Sequence, residues 1–236
     1  MMTGRDNLLW LQCWRDQQID FNQESANKLL TRFWPGLYQA KRSRVFVPLC
    51  GKSLDMIWLA KQGHVVIGVE LSPVAVKAFF HENHLRPTRR KVGQFTLWQH
   101  GRISILCGDY FSLTVAELGQ IDTVYDRAAL TALPEDIRTL YVAHLGLIVT
   151  DSTTVFLLTT EDSDETETLS QAVGVGKEIK SLYSALFYIK LLYVESVFEA
   201  DPDLPDQLPQ RTEYKAYQLS SKPRHSNKEV YKLGEK

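Results

Sequence analysis

The sequence has few cysteines, almost no net charge and no long hydrophobic run. Its three cysteines, Cys13, Cys50 and Cys107, are odd in number and widely spaced, which argues against a disulfide framework and favours reduced thiols in the cytoplasm. A formal net charge of −1 gives the chain no overall attraction for nucleic acid or acidic membranes. No apolar run approaches the roughly 20 residues that span a bilayer, and the N-terminus lacks a secretory signal pattern. We therefore expect a monomeric cytoplasmic protein that acts on small molecules.

A complete glycine-rich nucleotide loop is also missing. Gly51, Lys52 and Ser53 have the order that ends a phosphate-binding loop, but Phe46 stands where that loop needs its first glycine. Pro48, between them, has no N–H to donate to a phosphate. The Gly-x-Gly-x-x-Gly pattern of dinucleotide-binding proteins is absent as well. The absence of the first pattern excludes a P-loop nucleoside triphosphatase, and the absence of the second argues against a nicotinamide dehydrogenase.

Short apolar segments alternate with helical patterns along most of the 236 residues. The predicted strands span residues 44–49, 64–70, 103–107, 123–126, 153–160, 189–199 and 213–219. The predicted helices span residues 53–61, 72–83, 134–147 and 177–187. This alternation predicts an α/β fold with a doubly wound, mostly parallel, seven-stranded sheet.

The remaining segments complete the predicted organisation. Residues 8–33 form an amphipathic segment, and residues 86–102 are predicted as a loop with one short strand. The acidic run 161–168 is predicted as a mobile surface loop. We expect a single domain over residues 1–219 and a disordered basic tail over residues 220–236.

Ligands on doubly wound sheets bind beyond the carboxyl ends of the strands, where the strand order reverses. Glu70 ends the second predicted strand, 19 residues after Gly51, where a carboxylate can hold a ribose diol. Asp109 and Tyr110 follow the third strand and can bond the amino group of an adenine and stack on its ring. A turn with one glycine suits an adenosine cofactor that carries no phosphate. S-adenosylmethionine is such a cofactor.

Four segments closely resemble the thiopurine S-methyltransferase family, especially its bacterial members. They are FVPLCGKSLDMIWLAKQGHVVIGVELSPVAV (46–76), VYDRAALTALPED (124–136), CGDYFSLT (107–114) and WLQCWRDQQIDFNQE (10–24). The resemblance extends over about residues 10–219. It implies a Rossmann-like fold with an N-terminal helical cover over residues 1–40. It also implies methyl transfer from S-adenosylmethionine to a thiol, a thiopurine or, in bacteria, a selenium or tellurium nucleophile.

The resemblance also implies how the N-terminal half contributes to the cofactor site. Trp14 and Leu49 would contact the cofactor, and Trp10 and Phe21 would belong to the cover above it. The turn at Gly51 would let the backbone approach the cofactor closely.

Other matching positions lie at the ends of the later strands. Glu70 would hold the ribose hydroxyls, as its spacing already predicts. Asp109 and Tyr110 would surround the adenine. Arg127 would lie beside both the cofactor and the acceptor, as the catalytic residue.

Two departures from the family keep the acceptor open. The family usually has Phe-His where this chain has Phe21-Asn22, and residues 161–176 lack the family's Gly-Pro-Pro-Phe-like segment. The acceptor could therefore be a selenium or tellurium oxyanion, a halide or thiocyanate instead of a thiol. A further alternative is that the protein binds the cofactor without turnover. We predict no metal site, because His81 and His84 have metal-like spacing but no further ligands nearby. Cys50 is interpreted as a small buried residue, not as a nucleophile.

Overall fold

A computed structural model of the chain describes residues 4–16, 23–37, 42–162, 169–199 and 210–223. The helices in these ranges are α1 (Gly4–Arg15), α2 (Lys28–Leu37), α3 (Asp55–Lys61), α4 (Pro73–Glu82), α5 (Val115–Leu118), α6 (Ala129–Ala132), α7 (Glu135–Ile148), α8 (Leu169–Ala172) and α9 (Lys177–Tyr183). The strands are β1 (Arg44–Val47), β2 (Val65–Glu70), β3 (Thr88–Val92), β4 (Phe95–His100), β5 (Ile103–Cys107), β6 (Thr123–Arg127), β7 (Thr154–Asp162), β8 (Phe187–Glu199) and β9 (Gln210–Ser221). The predicted positions Phe21 and Asn22, and most of the predicted tail, lie outside the described residues.

The described strands form one sheet in the order β3-β4-β5-β2-β1-β6-β7-β9-β8. The five central strands, from β5 to β7, are parallel, and β9 inserts antiparallel between β7 and β8. The chain first adds strands on one side of β1 and then continues with β6 on the other side. The strand order therefore reverses between β1 and β6, which is where a doubly wound sheet binds its ligand. The predicted α/β, Rossmann-like, mostly parallel architecture is confirmed.

The predicted number of seven strands is wrong, because the described part of the chain forms nine. Residues 86–102, predicted as a loop with one short strand, contain the antiparallel hairpin of β3 and β4 beside β5. Gly93 has a φ of +53° at the turn of this hairpin, as tight hairpin turns require. The sequence of β3 is TRRKV, and its first four residues are exposed. Charged side chains are typical of edge strands and hide the apolar alternation by which strands are recognised.

Two apolar cores lie on the two faces of the sheet, as the alternation of side chains along each strand requires. On β1, Phe46 packs into one core and Val45 and Val47 pack into the other. The first core is covered by α6, α7 and α9, and the second by α2, α3 and α4. Because both faces are covered, the central strands are apolar on both sides. This explains why the sequence pattern predicted them well.

Several predicted boundaries move in the structure. The helix predicted over residues 177–187 ends at Tyr183, and Phe187 begins β8. Strand β9 continues to Ser221, so the first two residues of the predicted tail belong to the sheet. The predicted acidic loop loses Glu161 and Asp162 to β7. Glu161 accepts hydrogen bonds from Lys215 Nζ and Tyr217 Oη, both at 2.7 Å, which explains why this acidic residue lies in a strand. None of the described helices is long and apolar enough to cross a membrane.

Candidate active site

A cleft lies at the carboxyl ends of β1, β2 and β6, at the point where the strand order reverses. It encloses about 980 Å³ of space, counting the part open to solvent. The cleft is lined by eight of the predicted site residues: Trp10, Trp14, Leu49, Gly51, Glu70, Asp109, Tyr110 and Arg127. The structure thus brings together residues from α1 and from the ends of four strands.

Glu70 ends β2 and connects the two loops beside the cleft. One carboxylate oxygen accepts a hydrogen bond from the Gly51 N–H at 2.9 Å, and the other accepts one from the Ser72 N–H at 2.7 Å. The Glu70 residue is only 6% exposed. Each carboxylate oxygen keeps a second acceptor position, so this geometry still allows donors from a ligand.

The burial of Glu70 changes its acidity. Removal from water raises the Glu70 pKa to about 7, while the hydrogen bonds from the Ser72 and Gly51 amides oppose that rise. A carboxylate with a pKa near neutrality gains most from a ligand that donates hydrogen bonds to its ionised form. The carboxylate is thus suited to bind a diol and is sensitive to pH in the physiological range.

Gly51 lies directly beneath the indole of Trp14. Its φ is +52°, a conformation that side chains rarely adopt, and a β-carbon built there would lie 3.2 Å from Trp14 Cζ2. The glycine therefore allows both the turn after β1 and the close approach of α1. Its N–H remains directed at Glu70.

Two further lining residues have an unusual backbone. Leu49 has a φ of +46° after β1, and Ala128 has a φ of +63° after β6. Such conformations cost roughly 1–3 kcal/mol each and cluster at functional sites. His84 is the third described non-glycine residue with a positive φ, and it lies away from the cleft. The two strained turns flank the point where the strand order reverses, which supports a binding role for this edge.

Asp109 and Tyr110 line the cleft, but their side chains are engaged in contacts within the protein. The Asp109 carboxylate accepts a hydrogen bond from the Phe111 N–H at 3.0 Å and caps the 3-10 helix Tyr110–Ser112. The Tyr110 side chain is buried, and its hydroxyl donates to the Tyr141 carbonyl oxygen at 3.1 Å. The Tyr110 ring thus packs in the core, 4.9 Å from the Tyr141 ring between centroids. Stacking of this ring on an adenine, as predicted from the sequence, would require it to leave that position.

Arg127 is held by a carboxylate that the sequence analysis did not identify. Its Nε lies 3.3 Å from Asp55 Oδ2, and its side chain is 19% exposed. Tyr125 and Arg127 lie two residues apart on β6, so both point to the face covered by α3, where Asp55 is found. Asp126 points to the opposite face, where the Tyr141 hydroxyl donates to it at 2.6 Å and burial raises its pKa to about 6.

Several lining residues were missed by the sequence analysis. They are apolar or small, or they lie in the first turn of α1: Asn7, Val47, Pro48, Cys50, Ser53, Leu71, Tyr125, Ala128, Ala132 and Leu133. Three of them, Cys50, Leu71 and Ala128, follow a predicted strand by one or two residues, and this position was the available signal. Ala132 ends a short helix, α6, that was not predicted, and Leu133 follows it.

The interpretation of Cys50 as a buried residue is confirmed. Its side chain packs over Gly68, where a β-carbon would lie 2.6 Å from Cys50 Sγ. Burial raises the Cys50 pKa well above that of a free thiol, and the Glu70 charge raises it further. The thiol is therefore protonated near neutral pH and is a poor nucleophile. Within the described residues, no group of three or more His, Cys, Asp or Glu could hold a metal ion.

Comparisons with known proteins agree with this geometry. The thiopurine S-methyltransferase family model matches residues 5–222. The chain is 60% identical over 221 residues to a thiopurine S-methyltransferase of Stutzerimonas stutzeri, covering 94% of this chain and 93% of that protein. It is 44% identical over 195 residues to that of Nitrosospira multiformis, covering 82% and 88%.

Solved structures show the same fold at low sequence identity. An S-adenosylmethionine-dependent methyltransferase from Anabaena variabilis superposes with a TM-score of 0.57 at 12% identity, covering 94% of this chain and 96% of the other. Magnesium protoporphyrin IX methyltransferase from Synechocystis, solved with bound S-adenosylmethionine, gives 0.52 at 14% identity, with 90% and 96% covered. The fold, the cleft at the strand reversal and the two close relatives lead to one conclusion. The chain belongs to the thiopurine S-methyltransferase family and is an S-adenosylmethionine-dependent S-methyltransferase.

Proposed function

We propose that the cleft transfers a methyl group to the sulfur of a small thiol, with a thiopurine as the acceptor named by the relatives. The observation that carries this proposal is the placement of two opposite charges in one cleft, Glu70 at the end of β2 and Arg127 at the end of β6. These strands flank β1, so their ends are roughly 10 Å apart. The separation suits a cofactor ribose at Glu70 and an anionic acceptor near Arg127.

The described residues fit S-adenosylmethionine. Glu70 would accept hydrogen bonds from the ribose hydroxyls with the acceptor positions that its two amide partners leave open. The turn at Gly51 supports a phosphate-free ligand, because it contains one glycine and Pro48.

The remaining predicted residues would surround the cofactor on its other sides. Asp109 and Tyr110 would adjoin the adenine, Tyr110 through its backbone because its ring is buried. Trp10 and Trp14, from α1, would cover the cofactor opposite Leu49. An aromatic face attracts a cation such as a sulfonium by roughly 0.5–2 kcal/mol, more as water is excluded.

Arg127 is proposed as the catalytic residue. When bound, S-adenosylmethionine would supply a methyl group on a positively charged sulfur to a thiolate in line with that carbon–sulfur bond, and the electron pair of the bond would stay on the departing neutral sulfur. The Arg127 guanidinium would favour the ionised thiol and lower its pKa, because an opposite charge stabilises the ionised form.

The cleft offers no suitable general base among its described lining residues. Glu70 is bound to two backbone amides, and Asp109 caps a helix. Cys50 is protonated near neutral pH because burial raises its pKa. We therefore propose that thiols of low pKa react as thiolates formed without a protein base.

The proposal includes the setting in which the enzyme acts. We propose a monomer in the cytoplasm, with one methyltransferase domain over residues 1–219 and no nucleic-acid partner. The net charge of −1 supports the expected absence of a nucleic-acid partner, and the three free cysteines support the cytoplasmic setting.

Cofactor binding should depend on pH through Glu70. Ribose hydroxyls donate to the ionised carboxylate, so proton and cofactor compete, and the competition begins as the pH falls through about 7. We expect the dissociation constant, measured by calorimetry from pH 5.5 to 8.5, to be constant at high pH. Below pH 7 it should rise by up to about tenfold per pH unit.

The variant Glu70→Gln tests the same assignment. It should weaken binding at pH 8 by roughly 1–3 kcal/mol, the cost of losing charge-assisted hydrogen bonds. It should also remove the part of the pH dependence of the dissociation constant that comes from Glu70. The part that comes from titration of the cofactor itself should remain in both proteins. An identical pH profile in the wild type and this variant would exclude Glu70 from the ribose site.

The variant Gly51→Ala should lower both cofactor affinity and stability. Its φ of +52° costs an alanine roughly 1–2 kcal/mol, and its β-carbon would displace Trp14. Gly101→Ala is the matched control, since Gly101 has a φ of +54° but nothing within 4 Å of the added carbon. Urea unfolding should show that backbone strain lowers the free energy of unfolding in both variants. Calorimetry should show weaker cofactor binding only for Gly51→Ala. Equal affinity in the two variants would contradict the role of the Gly51–Trp14 contact.

The acceptor class is tested by turnover with labelled S-adenosylmethionine. We expect transfer to a thiopurine and to an aliphatic thiol, each with a kcat that rises with pH through the pKa of the bound acceptor and then levels off. Selenite and tellurite serve as the comparison acceptors. Turnover on the oxyanions alone would overturn the thiol assignment, and one inflection shared by thiols of different pKa would indicate a protein base.

Arg127→Gln should reduce kcat/KM for a thiol and raise the pH at which the kcat profile inflects, because kcat reports the thiol bound in the cleft. A charge close to a titrating group shifts its pKa by about 1–3 units, so loss of the guanidinium should move the inflection up by that amount. Arg211→Gln is the matched control, because the Arg211 side chain is 17% exposed and pairs with Glu213 through its Nε, outside the cleft lining. If both variants kept wild-type kinetics, Arg127 would have no part in the reaction.

A further inference from the structure

Asp55 is a buried carboxylate that joins three separate stretches of the chain. It lies in the first turn of α3 and is 1% exposed. Its Oδ1 accepts the Asn27 N–H at 2.7 Å, and its Oδ2 accepts the Tyr125 hydroxyl at 2.8 Å. Its Oδ2 also lies 3.3 Å from Arg127 Nε. Both oxygens are thus bound by groups that lie 28 to 72 positions away in the sequence.

Stability alone is a weak reason for this arrangement. Withdrawing two charges from water costs several kcal/mol per ion, and well-packed apolar residues often replace a buried ion pair without loss of stability. The ion pair does, however, fix the orientation of the Arg127 guanidinium. A guanidinium is planar, so a contact at Nε sets the directions of all its other N–H groups. Asp55 therefore determines where the Arg127 charge is presented in the cleft.

The second oxygen connects this arrangement to the N-terminal part of the chain. Asn27 caps α2, because its side-chain oxygen accepts the N–H groups of Leu29 and Leu30 at 2.9 and 3.3 Å. Its own N–H is the group bound by Asp55. The carboxylate thus fixes the start of α2 and the guanidinium of Arg127 relative to each other.

We infer that Asp55 is a positioning residue, which orients the Arg127 guanidinium toward the thiol acceptor and acts on the reaction only through Arg127. The inference rests on the role proposed above for Arg127. The Tyr125 hydroxyl supports the carboxylate from the same face. It remains a neutral donor, because burial raises the Tyr125 pKa well above its ordinary value.

The variant Asp55→Asn keeps the size of the side chain and removes its charge. We expect kcat/KM for a thiol to fall by about tenfold to a hundredfold, the scale set by misplacing a catalytic group by about 1 Å. The pH at which the kcat profile inflects should rise toward the pKa of the free thiol, and the dissociation constant of the cofactor should change much less. Loss of structure alone would lower the rate at every pH and leave the inflection in place.

A double-mutant cycle separates this inference from the proposed function. With Arg127 already replaced by Gln, Asp55→Asn should cause little further loss of kcat/KM, because the group through which it acts is gone. If Arg127→Gln alone left turnover unchanged, the proposed function would fail. If Arg127→Gln impaired turnover while Asp55→Asn did not, or if the two losses multiplied, only the positioning role would fail.

Two more variants keep the test valid if Asp55→Asn folds poorly. Tyr125→Phe removes one hydroxyl from the same carboxylate oxygen without changing any charge, and should shift the inflection in the same direction by less. Glu213→Gln is the matched control, because Glu213 is 1% exposed and lies 3.0 Å from Arg211 Nε, outside the cleft lining. It should leave the inflection unchanged. An unchanged inflection in Tyr125→Phe, or an equal shift in Glu213→Gln, would overturn the inference.

Discussion

The hydrogen bonds between the Glu70 carboxylate and two backbone amides hold the cleft together. By accepting from Gly51 and Ser72, the carboxylate ties the loop after β1 to the loop after β2. Buried carboxylates need such donors, because an unpaired charge is costly away from water. The bonds also fix the Gly51 turn, on which the indole of Trp14 rests. The position of α1 above the sheet thus depends on the same carboxylate that is proposed to bind the ribose.

The side of the cleft at the end of β6 contains the positive charge of Arg127. Arg127 ends β6 next to Ala128, whose backbone is strained, and its guanidinium is held by Asp55 from α3. The two sides therefore differ in kind. The carboxylate of Glu70 is fixed mainly by backbone amides of neighbouring loops, whereas Arg127 is fixed by a side chain from a distant helix. A substitution beneath Arg127 is therefore expected to change the proposed acceptor side without disturbing the proposed cofactor side.

These differences explain what the sequence could and could not predict. Glu70, Gly51 and Arg127 were identifiable because each directly ends or follows a buried strand, and strand ends meet at one edge of a parallel sheet. Asp55 was not, because its role depends on the packing of α3 against β6, and no spacing in the sequence indicates that contact. The hairpin of β3 and β4 was missed because a charged edge strand lacks apolar alternation. The buried orientation of the Tyr110 ring was not predictable, because the position of a residue in the chain does not say which way its side chain turns.

The largely apolar lining of the cleft suits the proposed chemistry in a way that the charged residues alone do not explain. A reaction between a sulfonium and a thiolate begins with two opposite charges and ends with two neutral sulfurs. Water stabilises the separated charges more than the transition state, in which the charges are already partly cancelled. Excluding water therefore lowers the barrier, provided that the thiolate still forms. The indoles of Trp10 and Trp14 and the side chains of Leu49 and Leu133 line this space and offer water few hydrogen-bonding partners. In the proposed reaction the Arg127 charge would meet the remaining condition, because it would favour the thiolate where solvent no longer can.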